Sequence, residues 1–270
     1  MGIDGAGKSA VLAALRRAAR GQSVITMTCP DFHDTADAPL QHTSQALKRF
    51  SQGSDHLGSV ELKALAMYLQ MTLYGPVERF FLDTSAPRVL VSERHPLVET
   101  FVYGKLYQLL AGADPDAVAA AAHHLESALD ATHPGTYAAV SAWHDAECRR
   151  LGHTLTLAQR FHDVADALGA DFTSAMVEFG RRYRTRLPDV VLWLDAPADD
   201  AARRCAARGT PGEVHETEPY LSLLRAQYAE FAEQLTTAFP SVVFRTISTA
   251  TGVDLATSVQ ACITEGHVFR

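Results

Sequence analysis

The sequence predicts an α/β protein with three layers, in which helices cover both faces of a parallel β-sheet. Three observations support this fold class: a glycine-rich loop opens the chain, apolar runs typical of strands alternate with helical patterns, and charged residues follow those apolar runs directly. Strands that alternate with helices form right-handed βα units, so their carboxyl ends meet at one edge of the sheet. Ligands bind outside that edge, and the charged residues are therefore expected to line a binding site.

The first element is the loop GIDGAGKS, residues 2–9, which fills every position of the phosphate-binding pattern G-x-x-x-x-G-K-[ST]. Its glycines allow turns in which successive N–H groups point at phosphate oxygens, and the helix that follows adds the positive end of its dipole. The alternative is a glycine-rich turn that matches by chance. The predicted nucleotide-binding segment comprises Gly2, Asp4, Gly5, Ala6, Gly7, Lys8, Ser9 and Ala10.

Two side chains of this loop have predicted roles in chemistry. Lys8 is expected to reach the β- and γ-phosphates of ATP, and the Ser9 hydroxyl to coordinate Mg²⁺. ATP and Mg²⁺ are thus the predicted cofactors.

The remaining elements follow in order. Helical spacing predicts a helix over AVLAALRRAAR, which ends before Gly21, and a long helix over residues 59–82 with a kink at Gly75-Pro76. Buried strands are predicted in SVITMTCP (23–30), RVLVSERHP (88–96), PDVVLWLDAP (188–197) and SVVFRTIS (241–248). Residues of about 111–187 are rich in Ala and His and are predicted to form a helical insertion before the fourth strand.

The strand that should feed the phosphate loop is missing, because only Met1 precedes it. Five or so buried apolar residues, at ~1.5–3 kcal/mol each, contribute an amount comparable with the ~5–15 kcal/mol stability of a domain. We therefore expect a short apolar strand to be encoded upstream of Met1. The chain is otherwise predicted to be one domain, residues 1–270, with a lid region at about 203–218.

Charged residues at two later strand ends complete the predicted site. Glu93 is expected to serve the Mg²⁺ shell and Arg94 to bind a phosphate of the acceptor, although an ion pair between them that orients the next helix is the alternative. Arg204 and Arg208 lie four apart on a predicted helix, so both are placed to offset charge on the transferred phosphoryl group. A solvated basic face is the alternative for this arginine pair.

Composition narrows the class of partner. The net charge of −7 argues against a protein that coats nucleic acid or anionic lipid, and no apolar run approaches the ~18–20 residues that span a bilayer. Four widely spaced cysteines without a signal peptide predict reduced thiols and a cytoplasmic location. We predict neither nucleic acid nor membrane as a partner.

Taken together, these motifs resemble the thymidylate kinases and, more broadly, the nucleoside monophosphate and deoxynucleoside kinases. GIDGAGKS is similar to that family's phosphate loop, including an acidic residue near the acceptor, here Asp4. SERHP resembles the family's acidic-Arg pair, PDVVLWLDAPADDAARRCAARG its strand and arginine helix, and ETEPYLSLLRAQYAEFAE its helix beyond the lid. The resemblance implies a P-loop kinase fold and a homodimer, and it covers both ends of the chain better than the middle.

The acceptor is where the sequence departs from the family. The usual Glu-Pro is replaced by Cys29-Pro30-Asp31, and a phosphate acceptor needs no carboxylate base, whereas a hydroxyl acceptor does. Gln70 offers a donor and an acceptor to a base edge, although an exposed helical Gln is an equal alternative.

The predicted function is ATP- and Mg²⁺-dependent phosphoryl transfer to a nucleoside monophosphate, with thymidylate preferred by resemblance. Two alternatives stay open at this point. One is a deoxynucleoside kinase with Asp31 as base, and the other is a nucleotide-binding regulatory module without transfer activity.

Overall fold

The computed structural model describes residues 1–19, 21–110, 114–207 and 217–265. These residues fall into two compact units. The first, here called the sheet unit, comprises Met1–Met27, Ser85–Val98 and Leu187–Arg270; the second, the helical unit, comprises Thr28–Thr84 and Glu99–Arg186. The prediction of one domain with an insertion and a lid stays a prediction.

The described elements run in the following order along the chain: α1 Lys8–Ala18, β1 Val24–Met27, a 3₁₀ turn Phe32–Asp34, α2 Gln41–Leu57, α3 Val60–Met71, α4 Tyr74–Ser85, β2 Val89–Ser92, α5 Pro96–Leu110, α6 Pro115–Thr132, α7 Thr136–Leu151, α8 Leu157–Leu168, α9 Phe172–Tyr183, β3 Val190–Asp195, α10 Ala198–Ala206, α11 Glu218–Ala238, β4 Val243–Ser248 and α12 Leu255–Glu265. All four strands belong to the sheet unit.

Strand pairing is parallel, as the alternation of strands and helices predicts. β1 pairs with β2 from Val24↔Val89 to Met27↔Ser92, and β3 pairs with β4 over six residues from Val190↔Val243. The prediction of one continuous sheet is wrong for the described residues, which form two separate two-stranded ladders. The predicted buried strand at 23–30 is also shorter and more exposed than expected: in Val24–Met27 only Met27 is buried, because a two-stranded ladder leaves both strands at an edge.

Met1 extends the ladder beside β3. The Met1 amino group donates to the Leu192 carbonyl at 2.8 Å, and the Leu194 N–H donates to the Met1 carbonyl at 2.8 Å. This is the bonding pattern of a residue paired in parallel with Trp193. The phosphate loop therefore begins directly after a residue that is hydrogen-bonded to β3.

The long helix predicted over residues 59–82 is two helices, and the break lies before the expected kink at Gly75-Pro76. α3 ends at Met71, and Thr72 closes it by donating its hydroxyl to the Leu69 carbonyl at 2.6 Å. Pro76 then falls in the first turn of α4, where the missing N–H of proline has no intrahelical partner to lose. The proline is thus accommodated by the start of a helix, and the chain bends upstream of it.

The helical unit has an aromatic core. Phe179 and Tyr183 of α9 are fully buried and stack with ring centroids 5.7 Å apart, while Phe101 of α5 meets Phe179 edge to face at 5.8 Å. α2 also belongs to this unit, and it was not predicted from the sequence.

A buried polar network lies beside this core, between α7 and α8. The Arg160 side chain is 1% exposed and donates to Asp163 at 2.7 Å and to the Cys148 sulfur at 2.9 Å. Cys148 Sγ lies 3.4 Å from Nε2 of the buried His144. Because buried polar groups need partners, these contacts fix how the two helices pack.

In the described part of the chain, no helix combines the length and the apolar character needed to cross a membrane.

Candidate functional site

The phosphate loop ends at an uncapped helix N-terminus. Gly7 is the N-cap of α1 with φ 86°, no side chain caps the helix, and its first turn holds no acidic residue. The first N–H groups of a helix have no intrahelical acceptor, and the helix dipole adds positive potential around them. This end of α1 is therefore suited to an anion such as a phosphate group.

Gly5 makes the close approach that the loop requires. It has φ +78°, and a Cβ there would lie 2.3 Å from the Ala201 carbonyl oxygen of α10. The loop backbone thus packs directly against the backbone of α10, which only a glycine at this position permits.

Lys8 is directed back along the loop. Its Nζ lies 3.0 Å from the Gly2 carbonyl, 3.1 Å from the Ile3 carbonyl and 3.2 Å from Oδ1 of Asp4, and the side chain is 12% exposed. The ammonium is consequently held at the centre of the loop, close to the uncapped end of α1.

Arg94 meets the loop from the end of β2. Its guanidinium donates to the same Oδ1 of Asp4 at 2.6 Å, and both side chains are 17% exposed. Asp4 therefore gathers two cationic side chains from separate elements at one oxygen. An anion that replaces Asp4 as the partner of Lys8 or Arg94 therefore meets a side chain that already carries a positive charge.

Tyr220 is a member of this cluster that sequence reasoning did not single out. It lies in the first turn of α11, and burial, together with the negative charge of Asp4, raises the pKa of Tyr220 to about 12. The phenol thus stays protonated and neutral at physiological pH beside the Asp4 carboxylate.

Arg204 lies on a different set of contacts from the predicted one. It was expected to face a transferred phosphoryl group, whereas its guanidinium donates to the Gly5 carbonyl at 3.2 Å and to the Thr249 carbonyl at 2.7 Å. These contacts use two of the five N–H donors of the guanidinium, so the side chain joins the phosphate loop to the loop after β4. Arg203 points to solvent with 67% exposure, and Arg208 lies outside the described residues.

Ser9 and Glu93 are the predicted magnesium ligands. Ser9 is exposed at the start of α1, and Glu93 follows β2 with its backbone N–H bonded to the Met27 carbonyl at 3.2 Å. A hydroxyl and one carboxylate fit Mg²⁺, which keeps several waters and takes few protein oxygens beside substrate phosphates. Among the described residues no group of three or more His, Cys, Asp or Glu side chains is arranged to hold a metal, so these residues do not form a closed protein cage.

Asp31 belongs to the helical unit. It follows the cis peptide bond Cys29-Pro30, and its Oδ2 accepts from Lys48 Nζ of α2 at 2.8 Å. The Cys29 thiol is buried and lies 3.7 Å from the Met71 sulfur. The Asp31 carboxylate is therefore partly exposed, at 26%, and it is ion-paired with Lys48.

Gln70 is also in the helical unit, and it is buried rather than exposed. It is 6% exposed on the last turn of α3. The alternative of an exposed helical Gln is therefore wrong, and a role of Gln70 in reading a base stays a prediction. Tyr74, one turn further on, is buried edge to face against Phe32 at 6.2 Å.

The structure thus brings together one group of predicted residues and leaves others apart. In the sheet unit Asp4, Lys8 and Arg94 meet at one oxygen, and Arg204 meets the loop at Gly5. Within the helical unit Gln70 neighbours Met71, the residue that contacts Cys29. Sequence reasoning missed Asp200 and Lys48; the four-residue spacing of Asp200 and Arg204, which puts them on one helix face, was an available signal.

Parallel strand pairs that alternate with helices place the described chain in the class of α/β proteins. No protein-family model matches the sequence, and no curated protein matches it. Solved structures do: thymidylate kinase from Candida albicans superposes with a TM-score of 0.51 and 12% identity, covering 100% of this chain and 91% of that one.

A second solved structure gives the same result. Deoxyadenosine kinase from M. mycoides, with its products dCMP and a flexible dCDP bound, superposes with a TM-score of 0.50 and 13% identity over 99% of this chain and 96% of that one. The fold resemblance to thymidylate and deoxynucleoside kinases that the motifs predicted is therefore confirmed.

Proposed function

We propose that this protein is a nucleotide kinase, which transfers the γ-phosphoryl group of ATP to a nucleoside monophosphate, with thymidylate as the preferred acceptor. One observation carries the proposal: Lys8 and Arg94, from separate elements, converge on Oδ1 of Asp4 at 3.2 and 2.6 Å beside the uncapped start of α1. The fold shared with thymidylate and deoxyadenosine kinase structures supports it.

The donor phosphates are assigned to the loop. The backbone amides of residues 5–9 and the first turn of α1 bind phosphate oxygens, and Lys8 exchanges its contacts with the loop carbonyls for the β- and γ-phosphates. Because the backbone amides are fixed before substrate arrives, they offset developing negative charge without reorganising, and such preorganised charge stabilisation accounts for much of the catalysis of phosphoryl transfer.

The metal is assigned to Ser9 and Glu93. Mg²⁺ held by these two side chains would neutralise charge on the phosphate oxygens. Arg94 then binds the phosphate of the acceptor, while Asp4 keeps the guanidinium of Arg94 oriented through its 2.6 Å contact.

Acceptor recognition is assigned to Gln70. Its carboxamide carries both a donor and an acceptor, so it pairs with the edge of a base that offers the complementary groups. The burial of Gln70 supports this role, because a carboxamide removed from solvent gains hydrogen bonds when it meets a base edge.

The test follows ADP release from Mg-ATP while nucleosides and nucleoside monophosphates are offered one at a time. We expect turnover with thymidylate and a loss of at least about 100-fold in Lys8→Met, because the lysine contacts the transferred group's oxygens. Tight ATP binding with no acceptor-stimulated ADP release contradicts the kinase and supports a nucleotide-binding regulatory module.

Asp31 supports a second candidate, a deoxynucleoside kinase. A hydroxyl acceptor needs a carboxylate to take its proton, and Asp31 is a partly exposed carboxylate held by Lys48 at 2.8 Å directly after Pro30. We expect Asp31→Asn to leave transfer to thymidylate within about threefold, whereas general-base catalysis contributes about 10²–10⁴-fold to transfer to a nucleoside.

Lys48→Met is the matched comparison, because it breaks the same ion pair and leaves the carboxylate in place. If Asp31→Asn removes activity while Lys48→Met keeps it, and only nucleosides are turned over, the monophosphate kinase is excluded in favour of the nucleoside kinase.

A further inference from the structure

α10 is attached to two loops at once, and both attachments come from one face of the helix. Asp200 and Arg204 are four residues apart, which places their side chains on the same side. Arg204 donates to the Thr249 carbonyl at 2.7 Å, and Oδ2 of Asp200 accepts from the Thr251 N–H at 2.8 Å. The loop after β4, residues 249–254, is therefore held at both a carbonyl and an amide.

The same face also holds the phosphate loop. Arg204 donates to the Gly5 carbonyl at 3.2 Å, and the Gly5 Cα packs so closely on Ala201 that a Cβ would lie 2.3 Å from the Ala201 carbonyl. Asp200 is 6% exposed, so its charge is compensated by its contacts, with Thr251 on one oxygen and Arg203 on the other. The packing against Ala201 and the hydrogen bond from Arg204 thus both hold Gly5 against α10.

The Arg204 guanidinium donates to two carbonyls, so its N–H groups that face the two loops already have acceptors. Its fork geometry suits the bridging of two acceptors, and each charged donor to a neutral carbonyl is a strong hydrogen bond. Moving Arg204 onto a phosphoryl group would break the Gly5 and Thr249 contacts together. These hydrogen bonds to carbonyls of two loops therefore favour a supporting role for Arg204 over direct contact with the phosphoryl group.

We propose that Arg204 and Asp200 are positioning residues, which hold the phosphate loop and the loop after β4 in fixed register for a bound nucleotide, so that Arg204 serves the reaction through Gly5 and not by contact with the transferred phosphoryl group. The inference rests on the proposed nucleotide kinase function.

Two matched pairs of variants test it. Arg204→Met and Asp200→Ala remove the two contacts, while Arg149→Met and Asp199→Ala remove the same types of side chain from exposed positions. The measurements are the Kd of Mg-ADP by titration calorimetry, kcat and KM for Mg-ATP, and hydrogen exchange at the Thr251 amide.

We expect Arg204→Met and Asp200→Ala to weaken Mg-ADP binding about tenfold or more, the loss of one hydrogen bond to a charged group, with kcat at saturation within about threefold. The two control variants should stay within about twofold, and Asp200→Ala should speed exchange of the Thr251 amide. Arg204→Lys, which keeps the charge and reaches one carbonyl, should recover part of the affinity and covers the case in which Arg204→Met does not fold.

Other results overturn the inference. A fall in kcat of about 100-fold at unchanged Kd assigns Arg204 to the phosphoryl group, and variants that behave like their controls assign it no role. If the wild type binds Mg-ADP but transfers no phosphoryl group to any acceptor, the kinase proposal fails. The changes in Kd for Mg-ADP still test the positioning role of Arg204 and Asp200. Absence of Mg-ADP binding by the wild type overturns both.

Discussion

At the scale of single residues, the site depends on where one carboxylate and one glycine lie. Asp4 collects Lys8 and Arg94 on a single oxygen, and Gly5 lets the loop reach the backbone of α10. The pattern G-x-x-x-x-G-K-[ST] predicts the lysine and the first and last glycines, but Asp4 and Gly5 fall on its variable positions. Their roles depend on contacts with residues about 90 and 200 positions away.

Gly5→Ala tests the close approach, with Gly21→Ala as its matched control. Both glycines have nearly the same φ, +78° and +77°, but a Cβ at Gly21 meets nothing within 4 Å, whereas at Gly5 it meets the Ala201 backbone. We expect Gly21→Ala to lower the free energy of unfolding by about 1–2 kcal/mol, the cost of a left-handed side chain. Gly5→Ala should cost about 2–5 kcal/mol, because overpacking adds about 1–3 kcal/mol.

Urea denaturation of both variants measures the difference. Equal losses for the two glycines would contradict the contact between Gly5 and α10.

At the scale of elements, the start of a helix has local sequence signals that contacts between helices lack. Thr156 and Gln159 form a capping box at the start of α8, and local spacing alone encodes such a box. The Arg160–Cys148 contact between α8 and α7 has no local signature, because it depends on how two helices pack.

The α7–α8 pair is expected to weaken in acid. His144 lies on α7 between Cys148 and Asp145, with Arg160 of α8 facing it, and burial followed by the charge of Arg160 lowers the pKa of His144 against an opposing effect of Asp145. The pKa of His153, in the connection between the helices, is lowered for the same two reasons. Because these pKa values are lowered, the folded chain takes up these protons at a lower pH than the unfolded chain, whose histidines have a pKa of about 6.5.

Protons therefore favour the unfolded state as the pH falls below about 6.5, and the free energy of unfolding should drop by at most about 1.4 kcal/mol per pH unit for His144. Denaturation curves at pH 7.5, 6.5 and 5.5 measure this slope. His144→Gln should flatten it, while His123→Gln, at a site 77% exposed, should not. If the slope is unchanged in His144→Gln, protonation of His144 is not the cause of the lower free energy of unfolding in acid.

At the scale of the whole molecule, a ligand that binds only the folded chain raises its stability by mass action. Mg-ATP at about 100 times its Kd should add about 2.7 kcal/mol, which corresponds to a rise in Tm of about 5–10 °C. Lys8→Met should show little or no rise, since the lysine is assigned to the phosphates. Thermal denaturation with and without Mg-ATP measures both, and an equal rise in the variant would place the nucleotide elsewhere.

The sequence by itself determined the α/β class, the parallel pairing of the strands and the resemblance that the superpositions confirm at the level of the fold. These follow from local patterns: the period of apolar residues, the spacing of glycines and the charges that end each strand. Only the tertiary structure decided that the four strands form two ladders, that Gln70 is buried, and that Arg204 joins two loops. The physical reason is that these features are contacts between residues far apart in the chain, whose distances are set by packing.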